Sequence, residues 1–320
     1  MSAFEPAPNL EQAGRPTDRI GTTFGGSAAR ARRVDFLAME PRSLTIVLPA
    51  YNEEARLGPA LDELFGYLRR HGECGRAGAP SAARLPEDVR VLIVDDGSTD
   101  ATSALVRSRP EFVATDAARP VTTTGPVPAG APHLVPTMLV QVPHGGKGAA
   151  VRAGMRAVET DLAIFADADM ATPPDQLPLL GEALRHHDVA LGSRIQPDGG
   201  DMRRSQPPHR RRLGKAFYGL ALAWAVGPVQ DTQCGFKGFT REAAHDLFGQ
   251  QKITSIVFDV ELIYLARRRG YRIAIVPIVW SDKRGSRMHP GPRLALQVAR
   301  DLFRTPLLHR GVARRSSGSK

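Results

Sequence analysis

Leu162-Ala163-Ile164-Phe165-Ala166-Asp167-Ala168-Asp169 is an apolar run that ends abruptly in two carboxylates. Its first five residues have the composition of a strand buried on both faces of a parallel sheet. Asp167 and Asp169, one residue apart at the strand end, can both reach one divalent cation that also grips a diphosphate. Mg2+ and Mn2+ suit such carboxylate, water and phosphate oxygens. An isolated Asp-x-Asp is more often an ordinary acidic turn, so the reading depends on what surrounds it.

Three similar units precede this run. Leu44 to Leu48 is a short β-branched strand, ended by Pro49, and a helix is expected from Glu53 to Arg70 with Leu57, Leu61, Leu64, Phe65 and Leu68 on one face. Val89 to Val94 reads as a strand followed by a helix over 101–107, and Met138 to Val142 as a strand followed by a helix over 148–158. A further helix is expected over Leu177 to Arg185. Strand then helix, four times over, predicts an α/β fold with a mostly parallel sheet flanked by helices. Ligands of such sheets gather at the carboxyl ends of the strands.

The polar residues at those ends are therefore the candidates. The first strand runs into Pro49-Ala50-Tyr51-Asn52-Glu53-Glu54, where acids fit the first turn of a helix. The second ends in Asp95-Asp96-Gly97-Ser98-Thr99-Asp100, with Gly97 for a tight turn and Ser98 or Thr99 as a helix cap. Capping explains the hydroxyls, but not an apolar strand that runs straight into two carboxylates. After the third strand, His144-Gly145-Gly146-Lys147-Gly148 is placed to bring backbone N–H groups and an ammonium near phosphate. Its spacing is not that of a P-loop, which excludes an ATPase of that kind.

The chain of 320 residues carries a formal charge of +10, which nucleic acid, anionic lipid or phosphorylated substrates would all suit. Aromatic residues are only 6% and do not alternate with basic ones, which argues against nucleic acid. Two cysteines, Cys74 and Cys234, give no disulfide framework and fit a reducing cytosol. No apolar run is long enough for a membrane span, and the N-terminus does not read as a signal peptide. Residues 1–42 read as a disordered tail, and about 114–136 as a long loop. Ala216 to Val229 is apolar and follows the basic run Arg210 to Lys215; it reads either as an interfacial segment or as a buried helix. Pro292 to Arg304 offers the same choice, with Leu294, Val298 and Leu302 on one face.

Together the strand ends resemble those of the family 2 glycosyltransferases, which have the GT-A fold. The resemblance covers about Leu44 to Arg287 and extends to Gly192-Ser193-Arg194, Asp231 to Lys237 and Phe258 to Leu262. Within the family the pattern is most similar to the dolichyl-phosphate glucosyltransferases, and next to the dolichyl-phosphate mannose synthases. Ala171-Thr172, after the acidic pair, resembles the glucosyltransferase branch and leaves no third metal ligand at position 171. The resemblance implies a GT-A domain over 43–290, followed by a C-terminal amphipathic helix and basic tail over 291–320.

It also implies roles. Pro49, Tyr51, Glu53 and Asp95 hold the base and ribose, with Asp96 also at the nucleotide sugar; Asp167 and Asp169 address the sugar and diphosphate and hold Mg2+ or Mn2+, Asp169 as the firmer ligand. Lys147, Lys215 and Arg287 meet the nucleotide sugar, UDP-glucose ahead of GDP-mannose. Asp231, Asp259, Arg194 and Lys237 form the catalytic set, with Asp231 ranked above Asp259 as the essential carboxylate. Asp259 and Glu261 also fit as favourable charge in a first helical turn. The implied acceptor is a polyprenyl or dolichyl phosphate, met by a cytoplasmic protein peripheral to the cytoplasmic face of the membrane. A phosphate acceptor is already anionic and needs no strong base, so cations that align the reactants matter more. A family 2 enzyme acting on a sugar hydroxyl shares the first half; a sugar-1-phosphate nucleotidyltransferase would carry a glycine-rich loop where Pro49 to Asn52 stand. A nucleotide-binding protein without transferase activity remains as the non-enzyme alternative.

Overall fold

The computed structural model describes residues 40–75, 84–113, 135–202, 219, 229, 231–281 and 292–315. Lys215, Arg287, the tail before residue 40 and most of the 114–136 and 216–229 stretches lie outside the described residues.

Seven strands form one sheet in the order β3-β2-β1-β4-β6-β5-β7. β1 (Ser43–Ala50), β2 (Asp88–Asp95), β3 (Thr137–Gln141) and β4 (Leu162–Phe165) are mutually parallel, with β1 paired to β2 on one side and to β4 on the other. Their composition explains the placement. Along β1, Leu44, Ile46 and Leu48 enter one apolar cluster while Val47 enters the other, so neither face meets water. α1 (Leu57–Gly75) and α4 (Leu177–Leu184) cover the first face through Leu61, Phe65 and Leu180. α3 (Lys147–Ala157), α5 (Arg241–Gln250) and α6 (Phe258–Arg269) cover the second through Met155, Phe248 and Leu262. The short helix α2 (Thr102–Arg107) follows β2.

The later part of the sheet differs from the sequence expectation. β5 (Val189–Ser193), β6 (Lys237–Thr240) and β7 (Ile273–Pro277) add three strands, and β6 runs antiparallel to both β4 and β5. Asp231 to Phe236 therefore leads into a strand, not a helix. The reversal has a positional effect: Lys237, the first residue of β6, pairs with Phe165, the last of β4. An antiparallel strand starts where its parallel neighbours end, and this brings the Asp231–Lys237 segment to the ligand edge. α1 also starts later than expected, at Leu57, because Glu53 and Glu54 lie in the turn before it and the Glu53 carbonyl accepts the Arg56 and Leu57 N–H groups.

The last helix, α7 (Pro292–Leu308), buries Leu302 in the second cluster, with Val298 packed against it, as the core-facing reading expected. No helix among the described residues is long and apolar enough to cross a membrane.

α3 crosses the sheet closely at Gly154, where a Cβ would lie 2.5 Å from Val47 Cγ1 and 2.8 Å from Val94 Cγ2. Gly154→Val should cost roughly 1–3 kcal/mol through overpacking, read as a lower midpoint of urea unfolding.

Candidate active site

The first two strand ends are knitted together by side chains. Asn52 adopts a left-handed backbone (φ 53°), and its Oδ1 accepts the Thr99 N–H at 2.8 Å. In return Ser98 Oγ accepts the Asn52 N–H at 2.9 Å, and Thr102 Oγ1 accepts the Glu53 N–H at 2.7 Å. The hydroxyl run after β2 thus holds the turn after β1, and the expected cap is not formed: neither Ser98 nor Thr99 caps α2, whose N-cap position is Ala101 with no side-chain cap bond. Above this floor the ring of Tyr51 stacks on His144, centroids 4.2 Å apart.

Asp95 is fully buried, accepting from the Ser98 N–H at 2.8 Å and from the Ser103 hydroxyl. Burial opposes its ionisation, yet the bonds from Ser103, Ser98 and Gln141 prevail and hold the carboxyl below the usual range. Asp96 is committed within the protein. Its two oxygens accept the Gly145 and Gly146 N–H groups at 2.9 Å each.

That corrects one expectation for the glycine-rich turn. Gly145 and Gly146 donate to Asp96, and Gly148 donates to the Thr254 carbonyl at 3.1 Å, so these N–H groups are not offered to phosphate. The turn supplies one ammonium. Lys147 Nζ bonds Asp167 Oδ1 and keeps its proton above the ordinary range: burial works against it, but Asp167, Asp259 and Asp169 outweigh burial.

Asp167 and Asp169 follow β4, with Met170 in a left-handed conformation (φ 49°) that turns the chain back. Burial, then the neighbouring Asp167 charge, pushes the Asp169 carboxyl up. Two carboxylates one residue apart form a donor set suited to a divalent cation, with diphosphate and water completing the shell. Sequence reasoning missed Arg56. It donates to Glu53 at 2.7 Å and places NH1 3.9 Å from Asp169 Oδ2, joining the first strand end to the acidic pair. Its spacing of three from Glu53 was the available signal.

The second half closes over this centre. A Cβ on Gly235 would collide with the Asp167 carboxylate, so only glycine lets the Asp231–Lys237 segment pass. Asp231 is held by Arg194 in a two-pronged ion pair, 2.7 Å on each arm, with the Arg194 N–H adding a third bond at 2.9 Å. The guanidinium stands over Trp280, 5.5 Å from the ring centroid. Lys237, expected to meet substrate, is fully buried, and its Nζ is spent on Asp259 at 2.6 Å and the Cys234 carbonyl at 2.5 Å. Burial pushes the Asp259 carboxyl up, against the pull of Lys237 and Lys147. Glu261 is not a surface acid of a first turn: it is fully buried and accepts three N–H bonds. Glu53, Lys147, Asp167, Asp169, Lys237 and Asp259 are thus brought into one linked charge cluster, and Asp96 serves the scaffold.

A mostly parallel sheet whose fourth strand ends in paired carboxylates beside a lysine is the architecture of the GT-A glycosyltransferases. The pattern of the family described as glycosyl transferase family 2 matches residues 45–115 and 138–248, more than half of the chain, and the protein belongs to that family. It is 33% identical to the dolichyl-phosphate beta-glucosyltransferase of Drosophila melanogaster over 267 residues, 81% of this chain and 73% of that protein. The Homo sapiens protein of the same name is 30% identical over 269 residues, 82% of this chain and 74% of that protein. A Trichomonas vaginalis protein of that name is 33% identical over 251 residues, 76% of this chain, and the match spans 65% of that relative's length. Glucosyl-3-phosphoglycerate synthase from Mycobacterium tuberculosis, solved with Mn2+, UDP-glucose and phosphoglyceric acid, matches with a TM-score of 0.54 over 88% of this chain and 83% of that one. At 20% identity that likeness is one of fold.

Gly235→Ala should displace the Asp167 carboxylate. The expected outcome is a loss of turnover of about a hundredfold, with circular dichroism unchanged.

Proposed function

We propose that the protein transfers glucose from UDP-glucose to a polyprenyl or dolichyl phosphate, using Mg2+ or Mn2+ held by Asp169 and Asp167. The observation that carries the reading is the state of the second-half carboxylates. Asp231 is bonded through both oxygens to Arg194, and Asp259 is buried against the buried Lys237, so neither stands open to a sugar hydroxyl as the general base it would require. An acceptor phosphate brings its own negative oxygen. That oxygen attacks the anomeric carbon, the bond to the UDP oxygen breaks with inversion, and the departing diphosphate takes up the electron pair. The cation, when bound, would neutralise charge on that diphosphate. Lys147, beside Asp167, is the protein's own cation on the same side.

The nucleoside is assigned to Pro49, Tyr51 and Glu53, with the exposed Tyr51–His144 stack as its aromatic surface; Asp95, fully buried and bonded to Ser98 and Ser103, holds the turn beneath it. Arg194, through Asp231, orders the acceptor side. UDP-glucose is favoured over GDP-mannose by Ala171-Thr172 and by the names of the relatives.

A peripheral position on the cytoplasmic face of a membrane fits the outer face of α7. Leu296, Phe303 and Leu307 recur there at helical spacing and are 73%, 46% and 47% exposed. Arg300 and Arg304 lie beside them, a pattern suited to anionic headgroups.

Incubation with radiolabelled UDP-glucose or GDP-mannose, a short polyprenyl phosphate and Mn2+ should give lipid-soluble label from UDP-glucose alone, and none with Asp169→Ala. Label on water-soluble acceptors but never on lipid would sink the lipid-phosphate reading. In co-sedimentation with vesicles containing anionic lipid, Leu296→Ser with Leu307→Ser should lower the bound fraction several-fold.

A further inference from the structure

The inner face of α7 carries an unusual set of buried residues. Asp301, Thr305 and His309, four residues apart, are 6%, 0% and 1% exposed. Asp301 grips the segment over 251–257 that joins α5 to α6 directly, and His309 does so through Glu261 of α6. Ser255 Oγ donates to Asp301 Oδ2 at 2.8 Å, and His309 Nε2 bonds Glu261 Oε1 at 2.7 Å. Glu261, fully buried, also accepts the Lys252 and Ile253 N–H groups at 2.9 Å each, and Lys252 Nζ reaches the Leu308 carbonyl at 2.9 Å. A carboxylate with three N–H donors in a dry site fixes a turn firmly.

The other side of the same turn meets the start of α3. The Thr254 carbonyl accepts the Gly148 N–H at 3.1 Å, and Gln251 Nε2 donates to the Gly148 carbonyl at 3.0 Å. The fit is close: a Cβ on Gly148 would lie 2.7 Å from the Thr254 oxygen. Lys147, the preceding residue, bonds Asp167. Gln233, in the Asp231–Lys237 segment, donates to the Ile256 carbonyl at 3.3 Å, so the turn touches both sides of the site.

We infer that Glu261 and His309 are positioning residues for transfer: through the 251–257 turn they fix the start of α3, and with it the Lys147 ammonium against Asp167. α7 is thereby part of the catalytic unit and not an appended tail. The family match ends at residue 248, so this support is built from residues beyond it. The inference rests on the reading of Lys147 and Asp167 as the diphosphate side. His309 Nδ1 has no partner among the described residues, so the ring works through Nε2 alone.

The test compares His309→Ala, His309→Gln and Ser255→Ala in the full chain. UDP binding with Mn2+ is measured by calorimetry, transfer by kinetics and folding by melting temperature. A glutamine amide can replace the Nε2 donor. His309→Ala should weaken UDP binding about tenfold and lower kcat, with the acceptor KM unchanged, and His309→Gln should recover most of both. Ser255→Ala, which removes the partly buried bond to Asp301 and the weaker 3.4 Å bond from the Val257 N–H, should weaken UDP binding two- to threefold, and it decides the matter if His309→Ala does not fold. UDP bound equally by the wild type and every folded variant would overturn this inference alone, whatever happens to the melting temperature. UDP bound by none of them, the wild type included, would overturn the donor-site reading and this inference with it.

Discussion

Like charges cannot be stacked at the end of a buried strand without compensation, and much of the molecule supplies it. β4 delivers Asp167 and Asp169 to the sheet edge, where burial and the neighbouring Asp167 charge oppose ionisation of Asp169. Lys147 approaches from α3, and Arg56 from the turn after β1. Behind them Lys237 offsets Asp259, and Arg194 offsets Asp231. Each cation comes from a different element, so the helices and strands around the site are positioned by the same electrostatic demand. Pairs of this kind, buried and hydrogen-bonded, contribute little to net stability compared with an apolar core but are costly to break one partner at a time.

The first half of the fold was legible because its strands are buried on both faces. Leu44 to Leu48, Val89 to Val94 and Leu162 to Ala166 are apolar runs that no surface element would carry, and each is followed by a helical period. The later strands lack that signature. β6 reads Lys-Gly-Phe-Thr, a sequence with a charge and a glycine that is made a strand by its two neighbours and not by propensity. β7, at the edge of the sheet, is only half buried and carries a proline.

At the site, residue types identified the place better than the role. Asp167 and Asp169 stand where the strand-end argument puts them. Asp96 and Glu261 read as acids available to a ligand or to a helix dipole, but each holds backbone N–H groups of a distant loop. Nothing local to Asp96 reveals that Gly145 will fold onto it, because that contact exists only once β2 and β3 are side by side.

The place of β6 between β4 and β5 has a consequence for how the chain is made. Synthesis delivers β1 to β4 first, and their parallel pairing closes every edge of β4 except the one reserved for β6. Until residue 240 has emerged, that edge presents unpaired amide and carbonyl groups flanked by apolar side chains, a template for pairing with another nascent chain. The first four strands are thus unfinished as a folding unit until the Asp231–Lys237 segment and β6 join them. A truncation between β5 and β6 should yield an aggregating fragment rather than a smaller nucleotide-binding domain.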